Sequence, residues 1–121
     1  MKATPINIAD TFSTMPTAED ANSFAMLSEL GNGGVFAASF SGHTPWERHL
    51  GDELVFVQEG KTDLILLLED KEVRATLAAG QLLVVPERTW HRFETDGVRI
   101  IGVTPQPTET SSAQRPPSDS V

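Results

Sequence analysis

The chain has no cysteine among its 121 residues. Disulfide bonds, thiolate catalysis and cysteine-ligated metals are therefore excluded, and any metal site must use nitrogen and oxygen ligands. Basic residues are also scarce, because nine Lys and Arg stand against seventeen Asp and Glu, for a formal net charge of −8. No basic run reverses this balance locally, so polyanions would be repelled, and neither nucleic acid nor an anionic membrane surface is an expected partner.

Long apolar runs are absent as well, and the first ten residues lack the charged-then-apolar pattern of a signal peptide. We therefore expect no membrane span and a cytoplasmic protein. The length suits one domain with a single core. We expect an N-terminal segment over 1–22, a β-barrel domain over 23–104 and a disordered tail over 105–121. The tail is rich in Pro, Ser and Thr and cannot bury enough apolar area to offset its ordering entropy.

Short strand-like segments separated by turn residues fill the middle of the chain and indicate an all-β sandwich, barrel or jelly roll. Apolar residues on both parities of 64–68 and 82–85 predict strands covered on both faces, by a second sheet or by a partner subunit. The predicted turns are Glu59-Gly60, Glu69-Asp70, Ala79-Gly80 and Asp96-Gly97, the last being a strong hairpin pattern. The predicted strands are 34–40, 46–49, 53–59, 61–68, 72–77, 81–86, 90–94 and 98–104.

The segment after residue 16 allows two interpretations. Thr17 with Asp20 resembles a capping box, and the apolar residues that follow have helical spacing. Asn32-Gly33 is instead typical of a hairpin turn, which would pair 24–30 with 34–40 as antiparallel strands. We favour the hairpin.

Four residues carry metal-ligand chemistry: Glu47, His49, Glu53 and His91. In an extended strand the first two project to one face about 6.6 Å apart, and a bend near Gly51 would return Glu53 to the same point. Carboxylates and imidazoles are ordinary ligands of Zn, Fe, Mn, Co and Ni. Two carboxylates and two neutral imidazoles would cancel a 2+ charge. The alternative is a solvated strand face with weak surface ion pairs.

The neighbours of these residues suggest how a site would be enclosed. His43 lies in a turn-like composition and is expected to be a loop residue. Trp46 and Trp90 each precede a candidate ligand, so on a strand they face away from it and should be packing residues. Three apolar residues share the ligand faces and predict a small apolar pocket with one polar corner, or simply a filled barrel interior: Val55, Val57 and Phe93.

The spacing of these residues resembles the two motifs of the cupin family. The first cupin motif is Gly, five residues, His-x-His, three or four residues, Glu, six residues and Gly, and here His49, Glu53 and Gly60 keep that spacing. The second motif is Gly, five residues, Pro-x-Gly, two residues, His, three residues and Asn, which Gly80 and His91 match with Pro86 between them. The resemblance covers about residues 34–104. It implies a double-stranded β-helix, or jelly-roll barrel, with a divalent metal ion, a small-molecule substrate and a homodimer.

Four positions depart from these motifs. Glu47 stands where the first motif has histidine, and Gly42 is one residue nearer than the pattern requires. Arg88 replaces a glycine, and Thr95 replaces the final asparagine. Without Glu47 the ligand set would be two histidines and one carboxylate, of the kind that supports Fe(II) oxygen chemistry; with it, Mn(II) or Fe(II) would be favoured over copper. We interpret Arg88 as a loop substitution, and the alternative is that it reaches the pocket mouth to meet an anionic substrate.

The resemblance implies a metal-assisted reaction without selecting an oxygenase, isomerase or lyase, and it assigns no catalytic residue. Glu59 and Glu94 are the remaining candidates for proton transfer, although solvated strand-end positions explain both. A non-catalytic small-ligand-binding or sensory module is the second hypothesis. A metal-free dimerisation unit is the third, and the four aligned nitrogen and oxygen ligands argue against it.

Overall fold

The computed structural model describes residues 3–16 and 22–114. The Thr17–Asp20 capping box and the last seven residues of the expected tail lie outside these ranges. The described residues form one helix and eight strands: α1 (Ile8–Ser13), β1 (Ser23–Leu30), β2 (Gly33–His43), β3 (Trp46–His49), β4 (Glu53–Leu68), β5 (Lys71–Ala78), β6 (Leu82–Val85), β7 (His91–Pro105) and β8 (Thr108–Ser111). No helix in these ranges is long and apolar enough to cross a membrane.

The hairpin predicted around Asn32-Gly33 is confirmed. Strands β1 and β2 pair antiparallel, with Leu30 opposite Gly33 and Phe24 opposite Ala38. Gly31 begins the turn with a φ of +58°, a conformation that costs glycine little because it has no Cβ. The helical interpretation of this segment is therefore wrong for β1.

Two of the four predicted turns are wrong, because the chain bends there without reversing. Glu59-Gly60 lies inside β4 and Asp96-Gly97 lies inside β7, and the two strands pair antiparallel through both points. Gly60 has a φ of +80°, and a Cβ on it would lie 2.4 Å from the carbonyl oxygen of Gly97. The two glycines thus let paired strands turn one corner together. The turns at Glu69-Asp70 and Ala79-Gly80 are confirmed.

These bends curl one antiparallel sheet into two facing layers. One layer holds β1, β2, the second half of β7, the first half of β4 and β6; the other holds β8, β3, the first half of β7, the second half of β4 and β5. Inward side chains of both layers form one core: Ala38, Phe40, Val55, Val57, Leu64, Leu66, Leu77, Val85, Phe93, Val98 and Ile100. The predicted all-β jelly-roll barrel is confirmed.

The outer faces of the layers are covered unequally. Helix α1 seats Phe12 on Ala37 and Ile101, outside the first layer. Residues 64–66 are buried, as predicted for a strand covered on both faces. In residues 82–85 the outer face is not covered by a second sheet of this chain, since Leu82 and Val84 are 57% and 49% exposed, so the alternative of a partner subunit stays a prediction there. Strand β6 pairs with β4 alone, and α1 covers a different part of the layer.

The expected disorder of the tail is wrong for residues 105–114. Pro105 ends β7, and β8 pairs antiparallel with β3 from Trp46 opposite Ser111 to His49 opposite Thr108. The indole N–H of Trp46 also donates a hydrogen bond to the carbonyl oxygen of Gln114 at 3.1 Å. Backbone pairing to a strand edge, together with this cover over a buried indole, orders a segment that has little apolar surface of its own.

Candidate metal centre

Three neighbouring strands bring the four predicted ligands to one end of the barrel interior. Glu47 and His49 lie on β3, Glu53 begins β4, and His91 begins β7 directly opposite Glu47. Glu47, His49 and His91 each offer a ligand atom within 4.8 Å of the other two. The three side chains of Glu47, His49 and His91 thus converge on one point, and Glu53 contacts the two imidazoles.

Glu53 lies at the centre of the group. Its Oε1 is 2.9 Å from Nε2 of His91 and its Oε2 is 3.3 Å from Nε2 of His49. The two imidazole rings are 5.4 Å apart between centroids. His91 and His49 are 1% and 4% exposed and Glu53 is 7% exposed, whereas Glu47 is half-buried and faces the cavity.

The donor atoms of this group fit a divalent metal ion. Nε2 of His49, Nε2 of His91 and Oε1 of Glu53 are buried, and none makes a hydrogen bond of good geometry within the described residues. Buried polar atoms are costly when they have no partner. Two ligands about 2.1 Å from one ion and at right angles to each other are about 3 Å apart, close to the separations seen here.

Hydrogen bonds behind the ligands fix their orientation. Nδ1 of His91 lies 3.0 Å from the carbonyl oxygen of Thr89, which can only accept, so in the neutral ring Nδ1 carries the proton and Nε2 presents its lone pair to the site. Nδ1 of His49 lies 2.9 Å from Oγ1 of Thr108. The hydroxyl of Thr104 donates to Oε2 of Glu53 at 2.7 Å.

The ionisation of the group reflects burial and close charges. Burial raises the pKa of Glu53, but the adjacent His49 and His91 rings outweigh it and hold the pKa at about 2. For His91 burial lowers the pKa, and the Glu53 carboxylate outweighs that effect and raises it. Burial raises the pKa of Glu47. The pKa shifts of Glu53 and His91 both favour an ionised Glu53 beside a protonated His91 ring in the absence of metal, and a bound cation would take the place of that proton.

A cavity of about 420 Å³ opens from this group to the surface. Its polar end contains Glu47, His49 and Glu53, and Val55 and Phe93 line it as predicted, whereas Val57 is fully buried in the core and does not. The predicted apolar pocket with one polar corner is present. Most of its wall is apolar, and these residues supply it: Phe24, Phe36, Ala38, Phe40, Val55, Phe93 and Ile100.

A model of the cupin domain matches residues 40–103, which is more than half of the chain. This chain belongs to the cupin family. Its fold is similar to that of a cupin-2 domain protein from Shewanella frigidimarina, which is 25% identical over 84% of this chain and 94% of that one, with a TM-score of 0.65.

Other solved structures share the cupin fold at lower identity. A cupin superfamily protein from Desulfitobacterium hafniense is 17% identical over 88% of this chain and 94% of that one, with a TM-score of 0.65. Hydroquinone 1,2-dioxygenase from Sphingomonas sp. TTNP3, with 4-hydroxybenzoate bound, is 14% identical over 88% of this chain and 74% of that one, with a TM-score of 0.63. Likeness at this level concerns the fold alone. Among curated proteins, none matches this cupin.

The departures from the cupin motifs have structural explanations. Arg88 has a φ of +59°, in the left-handed region that favours the glycine of the second motif. Its side chain lines a separate surface pocket with Trp90, so the interpretation that it reaches the mouth of the cavity is wrong. Thr95, in place of the motif asparagine, donates a hydrogen bond from its hydroxyl to the carbonyl oxygen of Lys61 at 2.7 Å and so supports the bend of β4.

The other predicted neighbours lie outside the ligand group. His43 ends β2 rather than lying in a loop, because β2 continues past its bulge to pair His43 with Glu94. Its side chain is 71% exposed. Trp46 and Trp90 pack on Ile65 outside the second layer, as predicted for residues facing away from the ligands.

Neither acidic candidate for proton transfer lines the cavity. Glu94 accepts hydrogen bonds from Arg74, and its other carboxylate oxygen is 2.6 Å from a guanidinium nitrogen of Arg92. Glu59 lies 3.6 Å from Arg99. Both carboxylates take part in ion pairs at the protein surface.

Sequence reasoning missed several residues that shape the site of this cupin. Thr104 and Thr108 contact ligands from segments interpreted as a strand end and as disordered tail, and neither has a sequence pattern of its own. Phe36, Ala38 and Phe40 alternate along β2, and this period-2 pattern is a usable sign of an inward face. Gly102 also lines the cavity.

Proposed function

We propose that this cupin holds a divalent metal ion through Glu47, His49, Glu53 and His91 and acts through it on a small molecule bound in the cavity. The observation that carries the proposal is the convergence of buried imidazole nitrogens and carboxylate oxygens, 2.9 and 3.3 Å apart and without hydrogen bonds of good geometry among the described residues, at the closed end of the cavity. Fe, Mn, Ni, Co and Zn all suit nitrogen and oxygen donors of this kind.

The roles of the residues follow from their positions. The bound ion would supply Lewis-acid polarisation or a site for dioxygen, which accommodates an oxygenase, an isomerase or a lyase. His49, His91 and Glu53 are buried and held from behind, so they hold the centre rigidly. Glu47 is half-buried and borders the cavity, so it faces the substrate and is also placed to hold a proton at its carboxylate.

A non-catalytic module that binds a small ligand is the second candidate. The observation in its favour is that Glu59 and Glu94 lie outside the cavity wall and leave Glu47 and Glu53 as its acidic groups. A binding module would retain the metal and the ligand and show no turnover with that ligand.

We further propose a homodimer that works in the cytoplasm without nucleic acid or membrane. The exposed Leu82 and Val84 on the outer face of β6 support a partner subunit, because a second chain would remove them from water. The acidic composition supports the absence of polyanionic partners. Light scattering at micromolar concentration tests the dimer, and a monomer would contradict it.

Elemental analysis of protein purified without chelator or metal-affinity tag tests the metal proposal. We expect near-stoichiometric metal in the parent and its loss in Glu47→Ala and His91→Ala. His43→Ala is the matched control, because this histidine lies outside the ligand group and should leave the metal content unchanged. Metal absent from the parent after reconstitution with Mn, Fe, Ni and Zn salts would overturn the proposal. Oxygen uptake is measured next if the ion is iron.

A further inference from the structure

We propose that the cavity selects uncharged, mainly apolar molecules and rejects carboxylates of the same shape. The proposal rests on the proposed function only in taking the ligand group as the polar end of the cavity. The aromatic rings of the cavity wall, the charged residues that line it and Gly102 support the proposal.

Four phenylalanine rings line the cavity between the ligand group and the rim, beside smaller apolar and polar residues. The ring of Phe93 lies edge-on to His91 at 6.2 Å between centroids and edge-on to Phe40 at 5.5 Å. At the rim, Phe24 and Phe36 form a tilted pair at 5.2 Å. A molecule inside would therefore contact aromatic rings both near the ligand group and at the rim. Contact of this kind rewards apolar and ring-shaped molecules.

The charges of the cavity do not suit an anion. None of the described residues that line the cavity is Lys or Arg, whereas Glu47 and Glu53 both line it. Arg92 comes within 3.3 Å of His43 at the rim, but it is paired with Glu94 and lies over Trp46. A divalent ion held by two carboxylates and two neutral imidazoles leaves no net positive charge. A carboxylate would thus lose its hydration without gaining a cationic side chain, which is unfavourable.

Gly102 has no side chain and so leaves space in the cavity for a ring of the bound molecule. It pairs with Phe36 on β2 and with Val55 on β4, both of which line the cavity. A Cβ built on it would meet nothing nearer than Oγ1 of Thr104 at 3.5 Å and the carbonyl oxygen of Leu54 at 3.8 Å. A methyl group therefore fits there, whereas a longer side chain would enter the space beside the ligand group.

Calorimetric titration with benzamide and benzoate tests the selection, because the two probes share one shape and differ in charge. We expect benzamide to bind at least about tenfold more tightly, although benzoate is the better metal ligand in water. Equal or tighter binding of benzoate would overturn the proposal, and so would the failure of both probes to bind. The same titration on protein stripped with chelator separates this proposal from the metal proposal, since the walls and Gly102 remain in either form.

Gly102→Leu tests the location of the bound probe. We expect it to weaken benzamide binding at least about tenfold with unchanged metal content, while Gly102→Ala binds within about threefold of the parent. Ala38→Leu fills the same cavity from β2 and replaces Gly102→Leu if that variant does not fold. Unchanged benzamide binding in both filling variants would place the probe elsewhere and overturn the inference.

A separate observation concerns strand β8, from which we infer that Thr108 is a positioning residue for His49. The cupin match ends at residue 103, so β8 lies beyond it. Its register places Thr108 opposite His49, with Oγ1 2.9 Å from Nδ1. With the hydroxyl as acceptor of the Nδ1 proton, the ring is held in the tautomer that offers its Nε2 lone pair to a metal ion. The peptide carbonyl of Thr89 does the same for His91.

Thr108→Val tests this role because it keeps the shape and removes the hydroxyl. We expect metal affinity to fall about 10- to 100-fold, with partial rescue in Thr108→Ser. Thr110→Val is the matched control, since Thr110 is an exposed residue of the same strand that does not line the cavity and should not alter affinity. The metal-free melting temperatures of the two valine variants should agree. Equal metal affinity in them, or a parent that binds no metal, would overturn the inference.

Discussion

The closed end of the cavity and its rim are built in different ways. At the closed end, His49, Glu53 and His91 are buried and each is held from behind by a hydrogen bond. At the rim, Phe24 is 71% exposed and packs on Phe36 through ring contact. Rigid polar chemistry thus lies where water is excluded, and adaptable apolar surface lies where a molecule enters. Substitutions at the closed end should therefore change metal affinity and not benzamide binding, and substitutions at the rim should do the reverse.

His91→Ala should have the largest effect at the closed end and little effect on the rest of the cavity. The residue is 1% exposed and its Nε2 lies 2.9 Å from Glu53, so the variant loses a ligand and leaves a buried carboxylate with less compensation. We expect metal affinity to fall more than the about 10- to 100-fold that a lost hydrogen bond behind a ligand costs. Benzamide binding should change by less than about threefold. Calorimetry with each ligand measures both, and a parallel loss of the two would show that the ends are not independent.

Glu47→His tests whether residue 47 is a metal ligand at the closed end. The change restores the histidine of the cupin motif and makes the metal-loaded centre more positive by one unit. We expect the metal to be retained and the preference for Zn over Mn to rise about tenfold or more, because imidazole suits Zn and carboxylate suits Mn. Competition between the two ions, followed by elemental analysis, measures the ratio. An unchanged ratio would mean that Glu47 is not a ligand.

The same variant tests the charge argument for the cavity. An added positive charge should strengthen benzoate binding relative to benzamide. Glu47→Gln is the control that removes the carboxylate without adding an imidazole ligand. If neither variant moves the benzoate-to-benzamide ratio, the carboxylate at this position does not govern the rejection of anions.

The stability of the closed end should depend on pH in opposite ways with and without metal. The pKa of Glu53 is held at about 2 against 4.5, so its contribution is present above about pH 4.5 and is lost as pH falls towards 2. The pKa of His91 is raised above 6.5, so its contribution is present below pH 6.5 and is lost as pH rises through the raised value. The metal-free protein should thus be most stable between about pH 4.5 and 6.5.

Metal binding reverses the upper part of this profile, because the ion requires unprotonated imidazoles. We expect the melting temperature of the metal-loaded protein to rise by several degrees between about pH 6 and 8, while that of the chelated protein falls. His91→Ala should flatten the upper part of the metal-free profile. Parallel rises in the chelated and loaded proteins would contradict the assignment of the ion pair.

Sequence patterns located the closed end better than they located the rest. Side-chain parity placed Glu47 and His49 on one face of a strand, and the resemblance to the two cupin motifs added Glu53 and His91 to them. Composition was a poorer guide at Asp96-Gly97 and Glu59-Gly60, because a glycine that permits a reversal also permits a bend between paired strands. The composition of residues 105–114 predicted disorder wrongly for a related reason. Their order comes from pairing with β3 and from the contact with Trp46, and neither is visible in the segment itself.

The residues of the cavity wall were predictable only in part. Val55 and Phe93 were predictable from the parity of the ligands, and Phe36 and Phe40 from alternation along β2. Gly102 was not, because the space beside a glycine depends on the residues that three different strands bring to it. A local sequence pattern therefore predicts which way a side chain faces, whereas the volume of the cavity depends on how the strands come together in the folded sheet.

Phe24→Ala and Phe36→Ala are the mildest test of the comparison. A contact between one of these rings and the ring of benzamide should contribute about 0.5–1.5 kcal/mol, so each variant should weaken benzamide binding by about 2- to 13-fold with no change in metal content. Phe36 is half-buried and should matter more than Phe24, which is mostly exposed. Val73→Ala is the control, an exposed apolar residue on β5 that does not line the cavity. Loss of metal in either phenylalanine variant would mean that the rim supports the closed end, because the two regions would then share their stability.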